Sequence, residues 1–114
     1  MPETGHRKGL LAELKAKSFL RYHGYSILAE RFKTSLGEID IVAKKGDMVI
    51  FVEVKLRKTS DAAAEAIHAR NQSRVRNAAE LYLQQYPEYN QCEMRFDALL
   101  LTPGAWPQHI EGAF

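Results

Sequence analysis

The sequence predicts an α/β domain built on a mixed sheet, and three observations carry that prediction. Helix-period and strand-period segments follow one another in the order helix, three strands, helix, strand, with a short strand to close. The chain has 114 residues, the size of one compact domain rather than two. Hydrophobic residues make up 46% and charged residues 26%, the balance of a soluble globular protein and far from that of a disordered chain.

Residues 1–6 read as a frayed tail. From Arg7 to about His23 good helix formers run up to Gly24, a natural residue beyond a helix C-terminus. Ala12, Ala16, Phe19 and Leu20 gather on one side of the helical wheel, and Glu13 falls beside Leu20 at the edge of that cluster. Residues 25–32 and 38–43 have strand composition and are separated at Gly37, read with Gly46 as a turn glycine. Val49, Ile50, Phe51, Val52 and Val54 make residues 48–55 the strongest strand signal. With Lys45-Gly46 as a two-residue turn, the hairpin sets Val42 opposite Val49, Asp40 opposite Phe51 and Glu38 opposite Glu53.

Residues 56–61 are mostly polar and read as a mobile, exposed flap. Val75, Ala78, Ala79, Tyr82, Leu83 and Tyr86 then recur at the helical period, ending before Pro87, and the same stripe extends back through Gln72 to His68. Met94, Phe96, Ala98 and Leu100 alternate with Arg95, Asp97, Leu99 and Leu101, as in a strand with one face more deeply buried. A short strand is expected around residues 108–110.

Several function classes drop out. The single Cys92 excludes an intramolecular disulfide and a multi-thiolate metal cluster, and the glycines form neither a phosphate-binding loop nor a dinucleotide fingerprint. With no signal-peptide pattern and no 20-residue apolar span, a cytoplasmic location is expected. The formal charge of +2 is too mild to identify a polyanionic partner, but it divides unevenly: +4 over residues 1–33, +1 over 34–86 and −3 over 87–114.

The chemistry concentrates in Glu53-Val54-Lys55. Period two turns both ionisable side chains to one face of the strongest strand, a costly choice if the purpose were core packing. The hairpin makes Asp40 a diagonal neighbour of Glu53 on that face, so a hard divalent cation can sit between the two carboxylates. Asp40, Glu53, the Val54 carbonyl, waters and a phosphate would satisfy Mg²⁺. Lys55 beside it can neutralise negative charge or orient an attacking water, which makes a phosphodiester a natural substrate. On spacing alone, structural ion pairs explain Asp40 and Glu53 equally well.

Other candidates are weaker in isolation. Glu13 reads as a surface glutamate or as an organiser or ligand of a second ion. Gln72 can orient water or phosphate, or bond within the helix. Arg57, Lys58, Arg70, Arg74 and Arg76 can contact phosphates or remain solvated. His68 has no recognisable partner and is assigned no catalysis.

The segment Gly37-Glu38-Ile39-Asp40-Ile41-Val42-Ala43 followed by Phe51-Val52-Glu53-Val54-Lys55-Leu56-Arg57 closely resembles the bacterial YraN-like family. That family is similar to restriction-endonuclease-like nucleases and archaeal Holliday-junction resolvases. The likeness continues through Gly9, Glu13 and Ala16, through Gln72, Arg74, Ala78 and Ala79, and through Arg95-Phe96-Asp97 and Ala113-Phe114. Asn71 stands where the family commonly has lysine, and Leu56 where a small polar residue is usual.

The resemblance implies a single endonuclease-like domain over residues 1–114, with a restriction-endonuclease-like core and a central mixed sheet flanked by helices. It further implies Asp40 and Glu53 as metal carboxylates, Lys55 as the catalytic lysine, Glu13 as a helical acidic residue at the site and Gln72 as an accessory amide. The expected function is Mg²⁺- or Mn²⁺-dependent hydrolysis of phosphodiesters in structured DNA, by a homodimer that presents two sites to one branched substrate. A noncatalytic nucleic-acid-binding protein and a structural protein-interaction domain are the alternatives.

Overall fold

The computed structural model describes the backbone of residues 2–58 and 69–114 and the side chains of residues 9–58 and 72–114. Helix α1 spans Pro2–Tyr22, and strands β1 (Ser26–Lys33), β2 (Glu38–Lys45) and β3 (Met48–Leu56) follow. Helix α2 spans Ala69–Gln85, a 3₁₀ turn Pro87–Tyr89, and strands β4 (Glu93–Leu101) and β5 (Gln108–Ile110) end the chain. The architecture is therefore α/β, a five-stranded mixed sheet in the order β1-β2-β3-β4-β5. All neighbours are antiparallel except β3 and β4, which are parallel and joined by the crossover that contains α2.

Each helix covers one face of the sheet. Ala12, Ala16 and Leu20 of α1 pack on Ile41, Ala43, Ile50, Val52, Leu99 and Leu101. Val75, Ala78, Ala79 and Tyr82 of α2 pack on Val42, Val49 and Phe51 from the opposite side. Both helical stripes follow the apolar spacing, because residues three and four apart share a helix face, except that Tyr86, expected on the second, lies beyond the helix end and is exposed. Small side chains dominate them, which lets the helix backbones approach the sheet closely.

Four expectations need correction. The supposed frayed tail is helical from Pro2 onward, since proline is tolerated in a first helical turn, where its missing N–H would have no intrahelical partner. The β2–β3 turn is Gly46-Asp47 rather than Lys45-Gly46: Lys45 pairs with Met48, Val42 with Phe51 and Ile41 with Val52. Gly46, at φ +58, takes the left-handed conformation that a tight hairpin demands at its first turn residue. In β4 the one-sided alternation fails, because both faces are buried from Asp97 to Leu101 once β3 and β5 flank the strand and α1 covers it.

The fourth correction concerns Gly37. A Cβ there would lie 2.1 Å from the Arg74 carbonyl oxygen, so glycine is needed for contact with α2 rather than for turn geometry alone. The turn itself is held by Thr34, whose hydroxyl donates to the Gly37 carbonyl at 2.7 Å and accepts from the Gly37 N–H at 3.0 Å. Asp40 begins three residues later, so this contact sets the distance between the start of β2 and the first half of α2. Leu56, expected in the flap, is the last residue of β3, and His68 and flap residues 59–61 lie outside the described residues.

Candidate functional site

The β2–β3 ladder ends at Ile41 and Val52, and Asp40 and Glu53 are the next residues on each strand. Asp40 Oδ2 accepts a 2.7 Å hydrogen bond from the Val54 N–H, so a side-chain carboxylate takes over where backbone pairing stops. On its other side Asp40 lies opposite Arg31, between the paired positions Glu30–Ile41 and Phe32–Ile39 of the β1–β2 ladder. Arg31 has φ +48, an uncommon conformation for a side chain of this kind. Across Asp40 the sheet also loses its alternation: Ile39 packs with the α2-side core and Ile41 with the α1-side core.

Glu53 and Lys55 form an ion pair at 2.8 Å, each side chain largely but not fully buried. Val54 packs towards α1, which turns its two neighbours to the other face. Asp40 belongs to the same electrostatic group. Burial pushes its carboxyl up to about 6; the nearby charges of Glu53 and Glu38 add to the rise, while the Val54 N–H and Lys55 oppose it. The register correction moves Asp40 from the expected diagonal position to one opposite Glu53, and a slip of two residues keeps the two on the same side of the sheet.

Glu13 reaches the group through a cation. Its carboxylate accepts a hydrogen bond from Arg31 Nε, and that pairing raises the Arg31 pKa, with smaller contributions from Asp40 and Glu38. Glu13 is thus paired with Arg31, the residue opposite Asp40 on β1. Among the described residues no cluster of three or more acidic, histidine or cysteine side chains is arranged to hold a metal. The expected ligands are Asp40, Glu53 and the Val54 carbonyl, and the two carboxylates stand next to the end of the β2–β3 ladder. Mg²⁺ ordinarily completes such a set with water and phosphate. The rise at Asp40 comes first from burial, with the charges of Glu53 and Glu38 adding to it.

Gln72 is half-buried in the first turns of α2, the helix on the side to which Glu53 and Lys55 turn, and two residues before the Gly37 contact at Arg74. Among the described residues, the expected phosphate-binding cations divide between α2 and the groove beside α1. Arg76 lies over the Phe96 ring, 4.4 Å from its centroid, and serves in packing. Arg74 is exposed on α2, whereas Arg57 and Lys58 border a groove beside α1. The Arg70 side chain lies outside the described residues.

A second polar cluster was not expected. Asp97 is fully buried and receives Arg95 through two 2.8 Å hydrogen bonds, His109 at 2.7 Å and the Gly112 N–H at 3.0 Å. Arg95 also donates to the Tyr25 hydroxyl at 3.1 Å. Burial alone would push the Asp97 carboxyl up, but the bonds from His109, Arg95 and Gly112 outweigh it and hold it at about 2. The signal was present in the sequence: Arg95 and Asp97, two apart on a strand, face the same side.

The uncharacterised protein family UPF0102 matches residues 12–101, a span that includes Glu13, Asp40, Glu53, Lys55, Gln72 and Asp97. A UPF0102 protein of Rhodopseudomonas palustris is 51% identical over 108 residues, 95% of this chain and 83% of its own. One from Nitrobacter winogradskyi is 48% identical over 106 residues, covering 93% and 90%. A third, from Chelativorans, is 44% identical over 112 residues, covering 98% and 90%. A family match across most of the chain and relatives of this identity and coverage lead to one conclusion: the chain belongs to the UPF0102 family, the family of the YraN-like resemblance.

Proposed function

We propose that the protein hydrolyses phosphodiesters in structured DNA with Mg²⁺ or Mn²⁺, on a restriction-endonuclease-like version of its α/β fold. The observation that carries this reading is the convergence of Asp40, Glu53 and Lys55 where the β2–β3 ladder ends, with the Asp40 carboxyl driven up to about 6 by burial and like charge. A protein that used these residues only for stability would gain more from an apolar strand end than from two carboxylates close enough to repel.

In this reading Asp40, Glu53 and the Val54 carbonyl hold the cation. When bound, it supplies Lewis-acid polarisation of the phosphate and a lowered pKa for coordinated water. Lys55, anchored by Glu53, is placed to neutralise charge on the phosphate or to orient the attacking water. Water oxygen bonds to phosphorus as the bond to the leaving oxygen breaks, and the proton that the water gives up is balanced, through solvent, by the one that the leaving oxygen takes up. The Val54 N–H fixes one Asp40 oxygen, so the carboxylate is oriented before any ligand arrives. Arg31 keeps Glu13 at the margin of the site, and Gln72 offers an amide to water or phosphate.

Cleavage of linear, flap, fork and four-way DNA with Mg²⁺ or Mn²⁺ tests the reading. Asp40→Asn and Lys55→Ala should each lower the metal-dependent rate at least about 100-fold while the fold survives. Salt-sensitive DNA binding without cleavage would favour a noncatalytic binding protein.

A further inference from the structure

Between α1 and the loop joining β4 to β5 runs a groove of about 1140 Å³. Leu11, Leu14 and Leu56 lie exposed along it. Two aromatic rings also stand into solvent there, Tyr22 at 86% exposure and Trp106 at 89%. Lys15, Arg57 and Lys58 supply its charge, and among the described residues that line it none is acidic.

Such a surface suits a partner with flat apolar faces and anionic edges. Aromatic rings held away from the protein body offer their faces to planar groups, and the three cations select negative charge. Duplex bases are stacked on one another and withhold their faces, whereas an unpaired strand presents them. The groove reaches the end of β3, where Leu56 and Arg57 line it on the α1 side, while Lys55 turns to the opposite face of the sheet.

We infer that the groove receives an unpaired nucleic-acid strand, with bases stacked on Trp106 and Tyr22 and phosphates paired with Lys15, Arg57 and Lys58. The inference rests on the phosphodiester reading for its choice of ligand, and it adds a single-stranded segment to the substrate that reading describes.

Trp106 is the sole tryptophan of the chain, so its fluorescence reports on the groove directly. An oligothymidylate titrated in EDTA at low salt should quench it saturably, with the effect weakened by added salt. Blunt duplex of equal length should bind at least about 10-fold more weakly. Tyr22→Ala should weaken the single-strand complex about 10-fold. By anisotropy of a labelled strand, Trp106→Ala should lose a similar factor and Trp106→Phe should keep most of the affinity. Both side chains are so exposed that truncation removes little packing, and circular dichroism verifies the fold.

Absence of quenching, or equal quenching by duplex, would overturn the inference. So would self-association abolished by Trp106→Ala without strand binding, which assigns the groove to a second copy of the chain. Failure of the two readings is separable. Quenching by single strands with no cleavage of any DNA leaves the groove standing and removes hydrolysis; metal-dependent cleavage of flap DNA unchanged in Trp106→Ala keeps hydrolysis and removes the groove.

Discussion

A carboxylate with no solvent contact is tolerated only where donors surround it, and Asp97 has four hydrogen bonds, from Arg95, His109 and the Gly112 N–H. They draw the chain's last residues onto β4, because His109 and Gly112 belong to the terminal segment. The stability consequence has a definite sign. Folded Asp97 titrates at about 2 against 3.8 for an ordinary aspartate, so its contribution is present above about pH 4 and is lost as the pH falls towards 2. Asp97→Asn should therefore be less stable at pH 7 by about 2 kcal/mol, and urea denaturation should show the difference shrinking between pH 4 and 2. A constant difference across that range would contradict the network. Gly37 makes a second prediction at this scale. Gly37→Ala sets a methyl against the Arg74 carbonyl and should cost about 2 kcal/mol, seen as a lowered Tm; a Tm equal to that of the wild type would mean that β2 and α2 separate without penalty.

Among the elements, β2 and β3 join structure to chemistry, and they show what a sequence can reveal. The apolar run of β3 and the i, i+2 placement of Glu53 and Lys55 were legible because strand periodicity depends on nothing outside the strand. The hairpin register was not, since Lys45-Gly46 and Gly46-Asp47 both resemble tight turns and only the pairing of whole strands selects between them. Arg31 was missed for a different reason. Its importance arises from φ +48 and from contact with a helix eighteen residues away, neither of which local composition encodes. Gly37 looked like a turn residue because its neighbour, the Arg74 backbone, is remote in sequence. Nothing in the short segments named Trp106 or Tyr22 either, since both matter only where α1 and the β4–β5 loop meet.

The strand ends also predict a conflict between stability and function. Asp40 binds a proton more tightly when folded than when unfolded, its carboxyl standing at about 6, so stability should rise as the pH falls from 7 towards 4. Asp40→Asn removes that dependence and should be more stable at pH 8 by about 1 kcal/mol, measured by urea unfolding. Millimolar Mg²⁺ should raise the Tm of the wild type and leave that of Asp40→Asn unchanged. A variant less stable than the wild type at pH 8 would mean that the carboxylate is held for packing alone.

For the molecule as a whole, the two helices pack on opposite faces of the sheet and leave the group of Asp40, Glu53 and Lys55 at one end, where β2 begins and β3 finishes. None of the described helices is long and apolar enough to cross a membrane. Two polar assemblies differ in kind: four hydrogen bonds hold the Asp97 carboxylate charged, whereas burial and like charge hold the Asp40 carboxyl at about 6. The separation matters experimentally, because changes at Asp97 should lower stability while changes at Asp40 and Lys55 should lower turnover. The most direct measurement is the initial rate of nicking of flap and four-way DNA in Mg²⁺ and Mn²⁺, with wild type and Asp40→Asn purified identically. Metal-dependent nicking by the wild type that falls at least about 100-fold in a folded Asp40→Asn is the predicted result; no nicking by the wild type, or equal nicking by both proteins, would contradict it.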